Sequence, residues 1–378
     1  MDTSGGTAAP LAARALAAAA AFRLEGRPAS AHPLIVGRIH DSLILTCEGA
    51  RHSRRYLLQR VNDRVIPDPS AVAENVGRVT GHLRAALAWE GVRDLDRRVL
   101  TPVPARDGTL AWRGEDGAWW RAYLFIERAG SADRVGSPRE AFGVARAYAD
   151  FARRLADLPP PPLHTTIAGF HDTPARLAAL GRAGEADPSN RARDAAATLE
   201  GILMRGPDAR RLAEMQTRGL LPERVVHNDT KVNNVLLDRA SGEPLCVVDL
   251  DTVMPGLVAH DFGDLVRSAA ATAAEDERDL SAAGVDVGLL EALAGGYVGG
   301  WDGELTPAEL HSLALGPSTI ALELAARFLT DHLEGDRYFR VSRPAENLDR
   351  ARVQLGLARA LEEHHETLAR FLEQAARG

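Results

Sequence analysis

The chain has 378 residues, 45% apolar and 26% charged, the balance of an ordinary soluble protein long enough for two packed lobes. Its formal net charge is −7 and no polybasic block occurs, which argues against a nucleic-acid or anionic-membrane partner. The two cysteines, Cys47 and Cys246, lie in apolar strand-like runs and read as small buried hydrophobes in a reducing, cytoplasmic setting.

Residues 1–20 read as a loose tail passing into a helix. The alanine-rich run from Leu11 to Phe22 imitates an export signal, but Asp2 precedes it and Arg14 interrupts it. Elsewhere no apolar run is long enough to span a bilayer. From Pro33 to Val61 the pattern is strand-like, with Leu34–Gly37, Ser42–Cys47 and Tyr56–Val61 as strands. Pro67-Asp68-Pro69-Ser70 starts a helix toward Trp89. Strand runs at Gly108–Arg113 and Trp119–Ile126 complete a small, mostly antiparallel sheet. Pro138–Leu158 has helical periodicity and stops at four prolines, Pro159 to Pro162. Residues 174–220 read as helices, Val225–Asp251 as strands, and residues 260–375 as helices broken near Gly295-Gly296 and Gly335. The expected architecture is α+β and bilobal: an N-lobe over residues 21–128 and a larger helical C-lobe over residues 129–378.

One residue stands out by composition. Lys231 is the only lysine, and the other 44 basic side chains are arginines. It sits in His227-Asn228-Asp229-Thr230-Lys231-Val232-Asn233-Asn234, with the spacing H-x-D-x-K-x-x-N. Kinase catalytic loops read H-R-D-x-x-x-x-N, where the Asp meets a hydroxyl and the Asn holds Mg²⁺.

The loop leads into a hairpin. Val235–Leu237 and Leu245–Val248 are its strands, and a turn centred near Ser241-Gly242 would set Asn234 across from Asp249. Opposed side chains share a face about 5 Å apart at Cβ. An amide oxygen and a carboxylate then make an oxygen-ligand site suited to Mg²⁺. Asp229 is placed to orient an acceptor hydroxyl, and Lys231 to offset charge on a transferred phosphoryl group. His227 reads as a brace for the loop.

With these residues in hand, the chain resembles the aminoglycoside-phosphotransferase type of protein-kinase-like enzyme, and within it the N-acetylhexosamine 1-kinase branch. The phrases that carry the resemblance are YLLQRVN (Tyr56–Asn62), FIER (Phe125–Arg128), GFHDTP (Gly169–Pro174), VHNDTKVNNVL (Val226–Leu236), VDLDTVMPG (Val248–Gly256), DFGDLVR (Asp261–Arg267) and RFLTDHLEGDRYF (Arg327–Phe339). The resemblance implies that Asp229 is the catalytic aspartate and that Asn234 and Asp249 bind Mg²⁺. Asp251 is a weaker metal candidate that would cap the following turn, and Asp261 and Asp264 would brace the loop backbone. Arg327 and Tyr338 would line the sugar pocket, with a surface ion pair and a core aromatic as their structural alternatives.

The N-lobe departs from the kinase pattern. Gly37-Arg38-Ile39-His40-Asp41-Ser42 stands where a glycine-rich phosphate loop is expected, with backbone N–H groups and Ser42 or Arg38 meeting phosphate. No lysine is available for the third strand. Arg60 paired with Glu74 would take that place, or Gln59 if the register differs by one. Phe125–Arg128 is the expected hinge, where backbone groups meet adenine.

The expected activity is transfer of the γ-phosphate of ATP, with Mg²⁺, to the anomeric hydroxyl of an N-acetylhexosamine. A monomer or weak dimer with a small-molecule sugar as its only partner is expected. The alternatives are another small hydroxyl acceptor (aminoglycoside, choline or homoserine) or a nucleotide-binding regulator without catalysis.

Overall fold

The computed structural model describes residues 5–34 and 39–378. The expected tail is helical from Gly5 onward. Gly5–Ala19 forms helix α1, whose Ala15, Ala18 and Ala19 are buried with Phe22 against one face of the N-lobe sheet. Alanine suits the position because it lies flat on the sheet and has the highest helix propensity.

The sheet comprises β1 (Arg27–Pro33), β2 (Asp41–Glu48), β3 (Ser53–Val61), β4 (Pro102–Val103), β5 (Trp112–Arg113) and β6 (Trp119–Leu124). Its order is β1-β2-β3-β6-β4, with β5 also on β6, and all pairs are antiparallel. The first strand therefore lies earlier than Leu34–Gly37. Ile35–Arg38, including Gly37 and Arg38, lie outside the described residues. The expected 108–113 strand shrinks to two residues.

Helix α2 (Pro69–Trp89) starts where expected. Asp68 caps it by accepting from the Ser70 and Ala71 N–H groups. The short α3 (Leu95–Arg98) follows. Side-chain alternation divides the sheet faces. Tyr56, Leu58, Trp120 and Ala122 pack toward α1, whereas Val61 and Tyr123 pack with Val72, Val76 and Val79 of α2.

Strand β6 ends at Leu124, and β7 (Ala129–Gly130) already pairs with a strand of the other lobe, β9 (Val235–Asp238). The remaining strands are β8 (Arg224–Val226), β10 (Pro244–Val247) and β11 (Met254–Gly256). Around them lie α4 (Pro138–Arg154), α5 (Thr173–Ala186), α6 (Ala192–Leu203), α7 (Gly206–Ala209), α8 (Arg211–Thr217) and α9 (Val258–Ala269). Helices α10 (Val287–Gly300), α11 (Pro307–Leu313), α12 (Gly316–Glu334), α13 (Glu346–Glu363) and α14 (His365–Arg377) complete the lobe. Among the described residues no helix is long and apolar enough to cross a membrane.

Gly335 ends α12 in a left-handed conformation at φ 97, as a C-terminal glycine should. Gly295 and Gly296 break nothing, however: α10 runs through them. They exist for close approach. A Cβ on Gly296 would overlap the Phe142 carbonyl of α4, and one on Gly300 would lie 2.7 Å from the Arg146 carbonyl oxygen. Gly296→Ala tests this. Helix propensity alone predicts a gain of about 1 kcal/mol. The contact predicts overpacking instead, a net loss of about 1–3 kcal/mol in denaturant unfolding.

Candidate active site

Residues 227–231 lie in the C-lobe without regular structure, so each buried backbone group among them needs a partner. The Asp261 carboxylate of α9 accepts from the N–H groups of His227 (2.9 Å) and Asn228 (2.6 Å), which is the bracing expected of it. Burial pushes its pKa up to about 6, against the pull of His227 and the two N–H donors. His227 accepts from the Asp229 N–H at Nδ1 (3.3 Å) and reaches the Val248 carbonyl through Nε2 (2.9 Å). Tyr148 of α4 packs its ring edge-on to His227 and donates to the Lys231 carbonyl (2.6 Å). Asp264 does not brace the backbone; it pairs with Arg267 at 2.7 Å.

A second support reaches the loop from α12. His171 contacts the Glu323 carboxylate through Nδ1 (3.0 Å) and the Asn228 carbonyl through Nε2 (2.8 Å), and Thr173 donates to the other Glu323 oxygen (2.6 Å). Both ring nitrogens face acceptors, which only the imidazolium satisfies with two N–H groups. Burial opposes that charge, but Glu323 outweighs it and the His171 pKa is raised. The Glu323 pKa is correspondingly lowered despite burial.

Asp229 projects from this braced loop. Its carboxylate meets Lys231 Nζ at 2.7 Å and Asn234 Nδ2 at 3.1 Å. Burial would raise its pKa, but Lys231, His227 and Arg267 bring it down to about 2. At that value the carboxylate is ionised near neutral pH and a weak base. Asn234 gives its amide nitrogen to Asp229, and its amide oxygen has no hydrogen-bond donor among the described residues.

The hairpin register differs by one from the expectation. Val247 opposes Val235, and the Val248 N–H donates to the Asn234 carbonyl, so Asn234 faces Val248 and not Asp249. A bulge between Pro244 and Cys246 shifts the pairing. Asp249 instead adopts a left-handed conformation (φ 61, ψ 59) at the head of a 3-10 turn, Leu250–Thr252. It is exposed, with no hydrogen-bond or ion-pair partner for its side chain among the described residues. Partial desolvation, then the charges of Asp251 and Asp229, raise its pKa to about 6. An unpaired carboxylate among like charges is the environment a hard cation relieves, and the Asn234 amide oxygen is a donor of the type Mg²⁺ takes. Among the described residues no three His, Cys, Asp or Glu side chains cluster for a metal. Asn234 and Asp249 offer oxygen donors of the kind that Mg²⁺ takes in small number.

Asp251 does more than cap a turn. It is buried, bridges to both guanidinium nitrogens of Arg121 on β6 (3.0 Å for Nη2) and accepts from His40 Nε2 at 2.6 Å. The Arg121 guanidinium and the His40 hydrogen bond overcome burial and hold its pKa far below the usual carboxylate range. The expected Arg60–Glu74 pair does not form. Arg60 shares the α1-facing row with Asp41 and Trp120 and pairs with Asp41 (3.2 Å), while Glu74 pairs with His164 (2.8 Å). Gln59 is the residue on the cleft side. Its Oε1 accepts from Arg121 Nε (2.9 Å) and its Nε2 donates to Ser42 Oγ (3.0 Å).

Arg327 on α12 lies 5.9 Å from the centre of the Phe170 ring, 5.9 Å from that of Tyr338 and 5.6 Å from that of Phe339. It has no ion pair or hydrogen bond among the described residues, so it is not a surface ion pair. Tyr338 is 66% exposed and is not a core aromatic. Arg121, His40, His171 and Glu323 were missed from the sequence. An arginine inside the aromatic strand Trp119-Trp120-Arg121-Ala122-Tyr123 was the available signal for the first.

The phosphotransferase enzyme family matches residues 48–295, two-thirds of the chain and all of the loop and hairpin. The chain belongs to this family. Solved structures similar in fold include a microcompartment-associated aminopropanol kinase, at 17% identity over 94% of this chain and 98% of that one (TM-score 0.55). A spectinomycin phosphotransferase in complex with ADP and its antibiotic matches at 13% identity over 93% and 98% (TM-score 0.54). A choline kinase from Cryptosporidium parvum matches at 10% identity over 92% and 93% (TM-score 0.52). The family phosphotransferase thus has the bilobal, protein-kinase-like α+β fold.

The His171–Glu323 pair predicts a pH effect on stability. A raised His171 pKa stabilises fully below the unfolded value of 6.5 and loses that contribution as pH rises through the folded value. The lowered Glu323 pKa loses its contribution only as pH falls below its unfolded value of 4.5. Thermal unfolding of Glu323→Gln should therefore fall furthest below the native protein near pH 5–6, and the gap should narrow on the alkaline side.

Proposed function

We propose that this phosphotransferase is an ATP- and Mg²⁺-dependent cytoplasmic kinase that phosphorylates the anomeric hydroxyl of an N-acetylhexosamine. The observation that carries the choice of acceptor is Arg327, a guanidinium ringed by Phe170, Tyr338 and Phe339 and uncompensated by any carboxylate among the described residues. Amine-bearing acceptors such as aminopropanol, choline and aminoglycosides are cations, and an unpaired cation lining the acceptor pocket would repel them. A sugar that is neutral and rich in hydroxyl and amide acceptors takes hydrogen bonds from Arg327, and its apolar face stacks on Tyr338.

Asp229 accepts the hydrogen bond of the anomeric hydroxyl and aims it for in-line attack. Its low pKa keeps it ionised, so its contribution is orientation and charge more than proton removal. Lys231, already beside Asp229, offsets charge on the group in transfer. Asn234 and Asp249 would hold Mg²⁺, which supplies charge neutralisation at the nucleotide phosphates. On the nucleotide side, Phe125–Arg128 links the lobes and offers its backbone to adenine, and Ser42 and Gln59 face the cleft from the sheet.

The deciding assay incubates the protein with Mg-ATP and a panel of acceptors and reads products by phosphorus NMR. N-acetylhexosamines should give an anomeric phosphate, and choline, aminopropanol and aminoglycosides none; the reverse pattern would sink the acceptor assignment. In the same assay Asp229→Asn should lose roughly 10²- to 10⁴-fold in kcat.

Lys231→Arg tests the lone lysine. A guanidinium matches the Asp229 carboxylate with two parallel hydrogen bonds and would hold it more firmly than a point charge does. Turnover should fall by about tenfold or more, comparable to loss of a transition-state donor, with an unchanged melting temperature. Near-native turnover would leave Lys231 without a catalytic part.

A further inference from the structure

The described N-lobe holds a buried cation on the cleft side of its sheet, at a position the kinase pattern does not use. Ser42, Gln59 and Arg121 form one row across β2, β3 and β6, linked by hydrogen bonds of 3.0 and 2.9 Å. From the end of that row Arg121 reaches into the C-lobe and grips Asp251 with two nitrogens. Asp251 lies two residues past Asp249, inside the same 3-10 turn.

We propose that Arg121 is the positioning residue that couples the N-lobe sheet to the turn carrying Asp249, through Asp251. The proposal rests on the nucleotide and magnesium part of the reading above and is independent of the acceptor. Three observations carry it. First, Arg121 is 5% exposed and its Nε, Nη1 and Nη2 all have protein partners, so it acts through Asp251 and not by clamping phosphate itself. Second, the turn is tied from three parts of the N-lobe. Arg121 holds it from β6. His40 holds Asp251 while accepting the Asn62 N–H at 3.1 Å. Asn75, fully buried on α2, donates to the Val253 carbonyl at 3.2 Å. Third, Asp249 sits at positive φ at the head of this turn, a conformation that persists only where its surroundings enforce it. A buried ion pair is a poor device for stability alone, since well-packed apolar residues often do as well. It is a good device for a fixed distance and angle, because bidentate geometry tolerates little displacement.

The test is calorimetric titration of the full chain with ADP, at limiting Mg²⁺, at saturating Mg²⁺ and in chelator. The variants are Arg121→Gln, Arg121→Lys, Asp251→Asn and the double variant Arg121→Gln/Asp251→Asn, with thermal unfolding of each. Arg121→Gln should weaken Mg-ADP binding about tenfold or more at limiting Mg²⁺, because fewer molecules hold the turn in its binding form. Saturating Mg²⁺ should recover most of the loss, and binding in chelator should be unchanged. Arg121→Lys should restore part of the affinity. The double variant should be no weaker than Arg121→Gln, since both changes remove one contact. Should Arg121→Gln fail to fold, the double variant, which strands no unpaired charge, carries the same comparison with the native protein. Equal losses with and without Mg²⁺ would mean direct phosphate contact and overturn the positioning role, as would native affinity or additive losses. A native protein that binds no Mg-nucleotide at all would refute the kinase reading and not the Arg121 inference alone.

Discussion

Everything at the centre of this molecule depends on one carboxylate accepting two successive backbone N–H groups. Asp261 takes those of His227 and Asn228, and its own carbonyl accepts from Thr230 Oγ1 at 2.5 Å. A loop without regular structure has no ladder to satisfy its backbone, and an unpaired N–H in a dry interior costs about 1–3 kcal/mol. Asp261 removes that cost from the first turn of α9, a rigid element packed on the core. Val258, Phe262, Leu265 and Val266 of the same helix are buried around it. The carboxylate of Asp229 then leaves the loop in one direction.

Two different supports meet at the cleft. The acceptor side is held within the C-lobe by Asp261 and by the His171–Glu323 pair, which ties α12 to the Asn228 carbonyl. The turn after β10 is held from across the cleft, by Arg121, His40 and Asn75 of the N-lobe. Asp229 sits in the first frame, whereas the turn bearing Asp249 is tied to both lobes, since Asn228 Nδ2 also donates to the Thr252 carbonyl (2.9 Å) and Thr252 Oγ1 to the His227 carbonyl (2.7 Å). Electrostatics follow the same division. Asp229, flanked by Lys231, is acidified to about 2, and Asp249, flanked by Asp251 and Asp229, is raised to about 6. A cation at Asp249 would relieve that repulsion.

Much of this was legible in residue order. The loop spacing, the helix start at Asp68 and the separation of a sheet-rich and a helical lobe all come from local pattern. The misreadings have identifiable physical causes. Gly295-Gly296 looked like a break because glycine weakens helices, but close packing of α10 on α4 outweighs propensity. The hairpin register was off by one because a bulge leaves no mark in the alternation of Val235–Asp238 and Pro244–Val247. Arg60 was preferred over Gln59 for its charge, yet a strand's period of two sends Arg60 to the α1 face.

The sequence by itself determined the chemistry on offer: one lysine, two aspartates and an asparagine at spacings that a single loop and hairpin bring together. Such spacing is short-range, and the dihedral preferences of a few residues suffice to set it. Only the tertiary structure decided which charges are paired. Arg121 and Asp251 are 130 positions apart, and His171 and Glu323 are 152 apart. Partners so distant meet only when the core has packed, because burial, not local conformation, makes leaving either charge alone too costly.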